Sequence, residues 1–256
     1  METSNRQAGY DELLEIAKRR RSCREFSDQP LPEGTIEKII EVARWAPSGA
    51  DSQPWTFVVV TDRDVIARLF SAHINDNMDY AFWMEQQRSF EMRHPGFKVD
   101  CEDPEEALKI KQTRRLWRDV PAIIAVVGDG RKQWGSLLCT HTSGSRNCHM
   151  TDSLANTSML IHLAAASLGL NTQWVSIHIE QPYKQILGVP DPLIIHTLIP
   201  VGYPAKPVGG SWREKVSDLI HYNHYDMSRH LSNRQIIERL LKLRTRTNTP
   251  YKPMKE

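Results

Sequence analysis

Three apolar runs of strand length, separated by helix-like segments, set the strongest limit on the fold of this chain. The runs are Trp55–Thr61, Ala122–Val127 and Ile194–Val201, and each is rich in valine or isoleucine. Runs of this length and composition predict β-strands. We expect a further strand at Thr172–Ile177. Strands interrupted by helices predict an α/β or α+β layered fold.

The helix-like segments carry their own start and stop signals. Residues 36, 39, 40 and 43 are apolar and share one helical face. A longer apolar helix is predicted at Asp152–Leu168, where Gly169 supplies a C-terminal stop. A last helix is predicted from Ser232, because Gln235 three positions later completes a capping box.

Residues 71–118 differ from the rest of the chain. They are polar and charged, carry scattered aromatic side chains and show weak helical periodicity. This composition predicts a long helical excursion rather than part of the core. The chain shows no internal repeat and no linker-like stretch, so residues 1–256 are predicted to form a single domain. Residues 226–256 are predicted to form a C-terminal helix and extension.

Charge and hydropathy exclude several classes of protein. The net charge is only +2, from 33 basic and 31 acidic residues. A nucleic-acid-binding domain is usually strongly basic, so no nucleic-acid partner is expected. No apolar stretch approaches the length of a membrane span, and the first residues do not form a secretory signal. We therefore expect a cytoplasmic protein without a membrane partner.

A basic cluster, RRRSCR, stands at residues 19–24. Arg20, Arg21, Ser22 and Arg24 can present three cations and a hydroxyl within one and a half helical turns. A planar guanidinium binds two phosphate oxygens at once, so such a cluster suits a phosphomonoester. A solvated basic helix end is the alternative that the cluster alone leaves open.

The motifs around this cluster resemble the FMN-dependent nitroreductase superfamily. The cluster is followed by an amphipathic helix and by APSGADSQPWTFVVV at residues 46–60. Downstream, LAAASLGLNTQW, LIPVGYPAKP and REKVSDLIHYNHY resemble later segments of that superfamily. The resemblance implies an α+β nitroreductase-like fold. In that fold, helices flank a central mixed, mainly antiparallel sheet, and the protein is a homodimer of domain-swapped type.

The resemblance also implies a cofactor site. Arg20, Arg21, Ser22 and Arg24 are similar to the residues that hold the FMN phosphate and ribityl chain. Pro47, Ser48 and Gly49 resemble the loop that packs on the flavin from the partner subunit. Trp174, Val175 and Ser176 occupy the flavin-facing strand. Arg213 matches a late phosphate-binding arginine, although Lys215 and Val216 depart from the family pattern after it.

The expected activity follows from the resemblance. The protein would use FMN to pass electrons from NADH or NADPH to a small aromatic acceptor, of nitroaromatic or quinone type. Residues 71–118 would form a lid over the flavin, although a surface helix pair packed on the core is the alternative. The alternative class of function is a flavin-binding protein without catalytic activity.

A second likeness is to the iodotyrosine deiodinase branch of the same superfamily, which removes halogen from an aromatic ring reductively. Alignment with that branch places Ser176 at a catalytic hydroxyl position and Ala50 where the backbone meets the substrate. Tyr80 corresponds to a substrate-binding tyrosine of the lid. The resemblance therefore implies reductive dehalogenation as the alternative activity.

One further cluster has the ligand types of a metal site. Cys139, His141, Cys148 and His149 lie close together in CTHTSGSRNCH. Thiolate and imidazole ligands suit zinc, but this spacing matches no common zinc pattern. We expect no metal.

Overall fold

The computed structural model describes residues 2–93, 97–98, 105, 117–132, 148–209 and 213–247. The chain divides into two compact units. The first consists of Met1–Met78 and Arg115–Val208, and the second of Asp79–Arg114 and Gly209–Glu256. The single domain expected from the sequence stays a prediction.

Helices of the first unit surround its sheet. The helix α2 (Thr35–Ala43) starts after Gly34, whose φ of 74° places it in the left-handed region, and buries Ile39 and Ala43. The long helix α5 (Cys148–Ser167) begins earlier than the predicted Asp152 and ends next to the predicted Leu168, with Gly169 at a φ of 75°. The helices are α1 (Glu2–Arg19), α2 (Thr35–Ala43), α3 (Arg63–Ala72), α4 (Met78–Gln86, which continues into the second unit), α5 (Cys148–Ser167) and α6 (Gln181–Leu187).

The sheet of the first unit has four strands in the order β1-β2-β4-β3, and every neighbouring pair is antiparallel. The strands are β1 (Trp55–Val60), β2 (Ala122–Asp129), β3 (Asn171–Thr172) and β4 (Leu193–Gly202). A single bridge between Ser22 and Thr172 is parallel. The expected helix-flanked, mainly antiparallel sheet is therefore present.

Strand β2 is buried on both faces, as its uninterrupted apolar run predicts. Its side chains alternate between two cores. Ile123 faces a core that includes Leu69 of α3, and Ile124 faces a core that includes Leu154 of α5. A Cβ at Gly128 would lie only 2.6 Å from Leu154 Cδ1, so this glycine lets α5 pack closely on the sheet.

The second unit contains two further α-helices in its described part, α7 (Val216–Leu219) and α8 (Asn233–Thr247). The predicted capping box is present at the start of α8. Ser232 N donates to Gln235 Oε1 (2.8 Å), and Gln235 N donates to Ser232 Oγ (3.4 Å). An ion pair between Arg239 and Glu214 joins α8 to the segment before α7.

The segment 71–118 is not a uniform excursion, because both of its ends belong to the first unit. Ala72, His73 and Asn77 are buried there, and Trp117 is fully buried in the core beside α3. The second unit begins at Asp79. The weak helical periodicity of the sequence at both ends of the segment gave no sign of these buried residues, because contacts with distant parts of the chain bury them.

Membrane spans were sought among the helices of the described ranges, and none of these helices combines the length and the apolar character that a span needs.

Candidate functional site

The arginine segment, residues 20–24, begins directly after α1 and lies along the edge of the sheet. Ser22 forms the parallel bridge with Thr172 of β3, and Cys23 N donates to Thr172 O (2.9 Å). Cys23 and Phe26 are buried and anchor the segment to the core. The basic cluster is therefore held against β3.

The sequence places the cluster within one and a half helical turns, and the structure differs. Helix α1 ends at Arg19, because pairing with β3 and burial of Cys23 draw the chain out of the helix. Arg20, Arg21 and Ser22 are half-buried, whereas Arg24 is exposed. Arg21 Nη1 donates to the carbonyl oxygen of Arg20 (2.9 Å).

Strand β3 is shorter than the predicted Thr172–Ile177. Its ladder ends at Thr172, and one further bridge joins Val175 to Leu198. Val175 is buried, whereas Trp174 is 38% exposed and Ser176 is exposed. The backbone beyond Thr172 thus turns two candidate flavin-facing side chains, Trp174 and Ser176, away from the core.

Two histidines fix the indole of Trp174. The ring of His162 stacks on it at 6.0 Å between centroids, and the ring of His196 meets it edge-on at 5.2 Å. A hydrogen bond of 2.6 Å joins His162 Nδ1 and Thr172 Oγ1. Burial, assisted by the nearby charge of Arg20, lowers the pKa of His162 to about 4, so this histidine is neutral at pH 7.

The loop of residues 47–53 has an unusual backbone. Ala50, Asp51 and Gln53 have φ values of 53°, 49° and 41°, in the left-handed region that side chains other than glycine rarely adopt. Helix α5 supports this loop, since Gly49 N donates to Ser153 Oγ (3.4 Å). Clustered backbone strain of this kind is typical of ligand-binding segments.

The second unit carries two other predicted site residues. Tyr80 lies on α4 and is 44% exposed. Arg213 is exposed and precedes α7. Their predicted roles, in substrate and phosphate binding, stay predictions.

The possible metal ligands fall outside the described part of the chain. Cys139 and His141 are not described, and the same holds for the side chains of Cys148 and His149. In the described ranges, His, Cys, Asp and Glu side chains form no group of three that could hold a metal ion.

Three residues that the motifs did not indicate lie at this site. They are His162, His196 and Asn77, whose side chain donates to the main chain at Ser176 (2.7 Å). Both histidines interrupt apolar runs, which is the one signal that the sequence offers for them. Asn77 has no such signal, because it lies in a mostly polar stretch, residues 75–79.

Comparisons with known proteins agree with this architecture. Residues 17–203 match the Nitroreductase family. The chain is 27% identical over 202 residues to the "Putative NADH dehydrogenase/NAD(P)H nitroreductase" of Methanothermobacter thermautotrophicus, which covers 77% of this chain and 80% of that protein. It is 26% identical over 194 residues to the iodotyrosine deiodinase of Hydra vulgaris, which covers 73% of this chain and 63% of that protein.

A solved structure shares the fold. The crystal structure of oxidized iodotyrosine deiodinase bound to FMN and 3-iodo-L-tyrosine has a TM-score of 0.59 and 19% identity, covering 83% of this chain and all of that one. The family match includes the arginine segment, the loop 47–53 and all four strands. The chain therefore belongs to the nitroreductase family and has its helix-flanked antiparallel sheet.

Proposed function

We propose that this protein is an FMN-dependent oxidoreductase that passes electrons from NADH or NADPH to a small aromatic acceptor of nitroaromatic or quinone type. The observation that carries the proposal is the bridge between Ser22 and Thr172. This bridge brings the arginine segment next to the stretch that presents Trp174 and Ser176. The proposed phosphate-binding residues and the proposed surface for the flavin ring are therefore neighbours at one edge of the sheet.

The donors on the arginine segment fit the phosphate end of FMN. Guanidinium groups bind phosphate through paired, charge-assisted hydrogen bonds. Arg20, Arg21 and Arg24 supply three such groups, and Ser22 supplies a hydroxyl for the ribityl chain. Arg213 joins this set through its match to the family motif. Because His162 is neutral, the positive charge around the arginine segment comes from its arginines.

The residues beyond β3 fit the ring end of the cofactor. Trp174 offers a fixed indole, Val175 anchors the backbone in the core, and Ser176 offers an exposed hydroxyl. Bound FMN supplies the electron-carrying chemistry. The protein places the cofactor and the acceptor in contact, and its hydrogen bonds near the ring tune the reduction potential of the cofactor. Ser176 is the proposed tuning residue, and Tyr80 is proposed as a substrate-binding residue.

A homodimer is part of this proposal. The first unit leaves Tyr10 and Leu13 of α1 more than half exposed, at 59% and 55%. The second unit exposes Val216, Leu219 and Ile237. Clusters of exposed apolar side chains mark interaction surfaces. A second copy of the chain would cover them and bring Pro47, Ser48 and Gly49 to the partner's flavin.

Reductive dehalogenation of an aromatic ring is the second candidate. It is favoured by the shared fold with a deiodinase structure that holds FMN and 3-iodo-L-tyrosine. Ala50 also supports it, because its left-handed φ of 53° gives the loop a backbone course suited to contact with a ligand. In this reaction Ala50 N–H would contact the substrate, and the Ser176 hydroxyl would favour one-electron steps.

The test of the main proposal begins with flavin binding. Arg20→Ala with Arg24→Ala removes two charge-assisted contacts, worth together on the order of 3–6 kcal/mol before compensation. We expect the double variant to lose FMN affinity by at least a hundredfold in a fluorescence titration, since about 1.4 kcal/mol corresponds to a factor of ten. The matched control is Arg44→Ala, at an exposed arginine directly after α2 that pairs with Glu41.

Turnover is then measured anaerobically with the FMN-loaded protein. NADH and NADPH are offered in turn, each with a nitroaromatic, a quinone and a halophenol. Faster reduction of the first two acceptors supports the main proposal, and halide release supports the second. Flavin binding without turnover would identify a non-catalytic flavoprotein, and full FMN content in the double variant would refute the phosphate site.

A further inference from the structure

Asn77 occupies an unusual place in the backbone. It ends a π-helical turn, His73–Asn77, inserted between α3 and α4. Such turns are rare and occur frequently at functional sites. Asn77 is only 2% exposed, whereas Asn75 on the same turn is exposed. The turn therefore directs one of its two asparagine side chains into the first unit.

The Asn77 amide makes two hydrogen bonds to the main chain beyond β3. Asn77 Nδ2 donates to Ser176 O (2.7 Å), and Asn77 Oδ1 accepts from His178 N (2.5 Å). One side-chain amide thus satisfies a carbonyl and an N–H two residues apart, as a neighbouring strand would. The β3 ladder has ended at Thr172 and the last bridge is at Val175, so Asn77 extends the support to residues 176–178.

A buried contact sets the orientation of this amide. Asn77 Nδ2 lies 3.3 Å from His73 Nδ1, and Tyr183 Oη lies 3.5 Å from the same nitrogen. With the proton of His73 on Nε2, its Nδ1 accepts the second Asn77 N–H. Both protons of the amide then have an acceptor, and Oδ1 is left to receive the N–H of His178.

We propose that Asn77 is a positioning residue of the redox site, which holds the Ser176–His178 backbone so that the Ser176 hydroxyl has one fixed location beside the cofactor ring. This inference rests on the proposed function, because it assigns Ser176 to the flavin. Asn77 acts through Ser176 and does not itself contact the cofactor. Residues 176–178 lie beyond the last bridge of the sheet, so the two hydrogen bonds from Asn77 hold this backbone in place. A single hydroxyl can tune the cofactor only if its position is fixed.

The first experiment needs no flavin. Amide hydrogen exchange at His178 is compared between flavin-free wild type, Asn77→Ala and Asn77→Asp. The alanine removes both hydrogen bonds, whereas the aspartate keeps the acceptor but sets a carboxylate oxygen against the carbonyl of Ser176. We expect exchange at His178 to accelerate at least tenfold in Asn77→Ala, since an amide that loses its acceptor opens locally. Asn75→Ala, on the exposed side of the turn, is the matched control and should leave exchange unchanged.

The second experiment tests coupling to Ser176. The midpoint potential and kcat of the FMN-loaded protein are measured for Asn77→Ala, Ser176→Ala and the double variant. Misplacement of a reacting contact lowers rates by on the order of tenfold to a hundredfold. We expect each single variant to shift the midpoint potential. In the double variant, Asn77→Ala should add little to the shift caused by Ser176→Ala. The effects of two substitutions do not add when one residue acts through the other. FMN affinity of Asn77→Ala should stay within about threefold of wild type, since Asn77 does not contact the cofactor and the phosphate contacts are retained.

Each outcome decides the proposal. Additive shifts, or an unchanged potential in Asn77→Ala, would show that Asn77 does not act through Ser176. Collapse of the fold in both Asn77 variants would assign it a structural role and overturn the proposal. A wild type that binds no FMN would instead refute the proposed function, while the exchange result would still report on the contact between Asn77 and residues 176–178.

Discussion

At the scale of single residues, two histidines, His162 and His196, pack around the indole of Trp174. His162 is 5% exposed, and its ring lies between Thr172 and Trp174. Burial also lowers the pKa of His196. Protonation of His162 would put a charge in the core near Arg20. Keeping His162 neutral avoids the cost of burying that charge.

This arrangement predicts a pH dependence of stability. The pKa of His162 is about 4 in the folded protein, against an ordinary value of 6.5. Between these values the unfolded chain binds more protons, so the free energy of unfolding decreases as the pH falls from about 6.5 towards 4. At pH 5 the loss attributable to His162 is about 2 kcal/mol, at 1.36 kcal/mol per pH unit. Urea denaturation at pH 7 and pH 5 measures it.

The variant His162→Asn removes this titration and keeps a polar side chain beside Thr172. We expect its free energy of unfolding to change less between pH 7 and pH 5 than that of wild type, by roughly 2 kcal/mol. His224→Asn, at an exposed histidine, serves as the control and should follow wild type. Equal slopes in all three proteins would contradict the burial argument for His162.

At the scale of elements, the loop 47–53 is held in a conformation that its residues disfavour. Ala50 has a φ of 53° and a ψ of 32°, although a Cβ is unfavourable there. Helix α5 holds the loop in place, since Asn156 Nδ2 donates to Pro47 O (3.2 Å). The loop is therefore strained locally and stabilised by tertiary contacts.

Replacing Ala50 with glycine should relieve this strain. Left-handed backbone costs a residue with a Cβ about 1–2 kcal/mol. Glycine offsets this gain by about 0.5–1 kcal/mol, through the greater freedom of the unfolded chain. We expect Ala50→Gly to stabilise the protein by roughly 0.5–1 kcal/mol in urea denaturation, while its looser loop weakens acceptor binding, seen as a higher KM.

The converse change supplies the control. Gly34 precedes α2 with a φ of 74° and nothing near its missing Cβ, so Gly34→Ala introduces backbone strain without a clash. It should destabilise the protein by roughly 1 kcal/mol and leave KM unchanged. Destabilisation by Ala50→Gly would show that the loop is not strained.

At the scale of the whole molecule, the exposed apolar residues predict a homodimer. In α8, Ile236, Ile237 and Leu240 are 40%, 49% and 40% exposed and share one side of the helix. A helix with an unburied apolar stripe gains stability by packing against another surface. We expect Ile237→Glu with Leu240→Glu to shift the protein towards monomer in sedimentation velocity and to lower its FMN content.

The same helix carries the control. Arg234 is highly exposed and pairs with Glu238, so Arg234→Glu changes charge without touching the apolar stripe. It should remain dimeric with full FMN content. A wild type that is monomeric and flavin-loaded would refute both the dimer and the contribution of residues 47–49 from a partner subunit.

Elements with a local signature were predictable from the sequence. The run Ala122–Val127 is apolar enough to form a strand buried on both faces, and Gly169 ends its helix because glycine adopts the left-handed conformation without a steric cost. The capping box at Ser232 and Gln235 depends on residues only three positions apart. In each case, near neighbours along the chain determine the structure.

The site itself was decided by tertiary contacts. Asn77 and Ser176 are 99 positions apart, and no periodicity or motif links them. The arginine segment leaves its helix because Thr172, distant in sequence, accepts the N–H of Cys23. The sequence by itself determined the strands, the main helices and the residue types able to bind a phosphate. Only the tertiary structure decided which of them meet, because hydrogen bonds and packing between distant segments depend on the folded backbone.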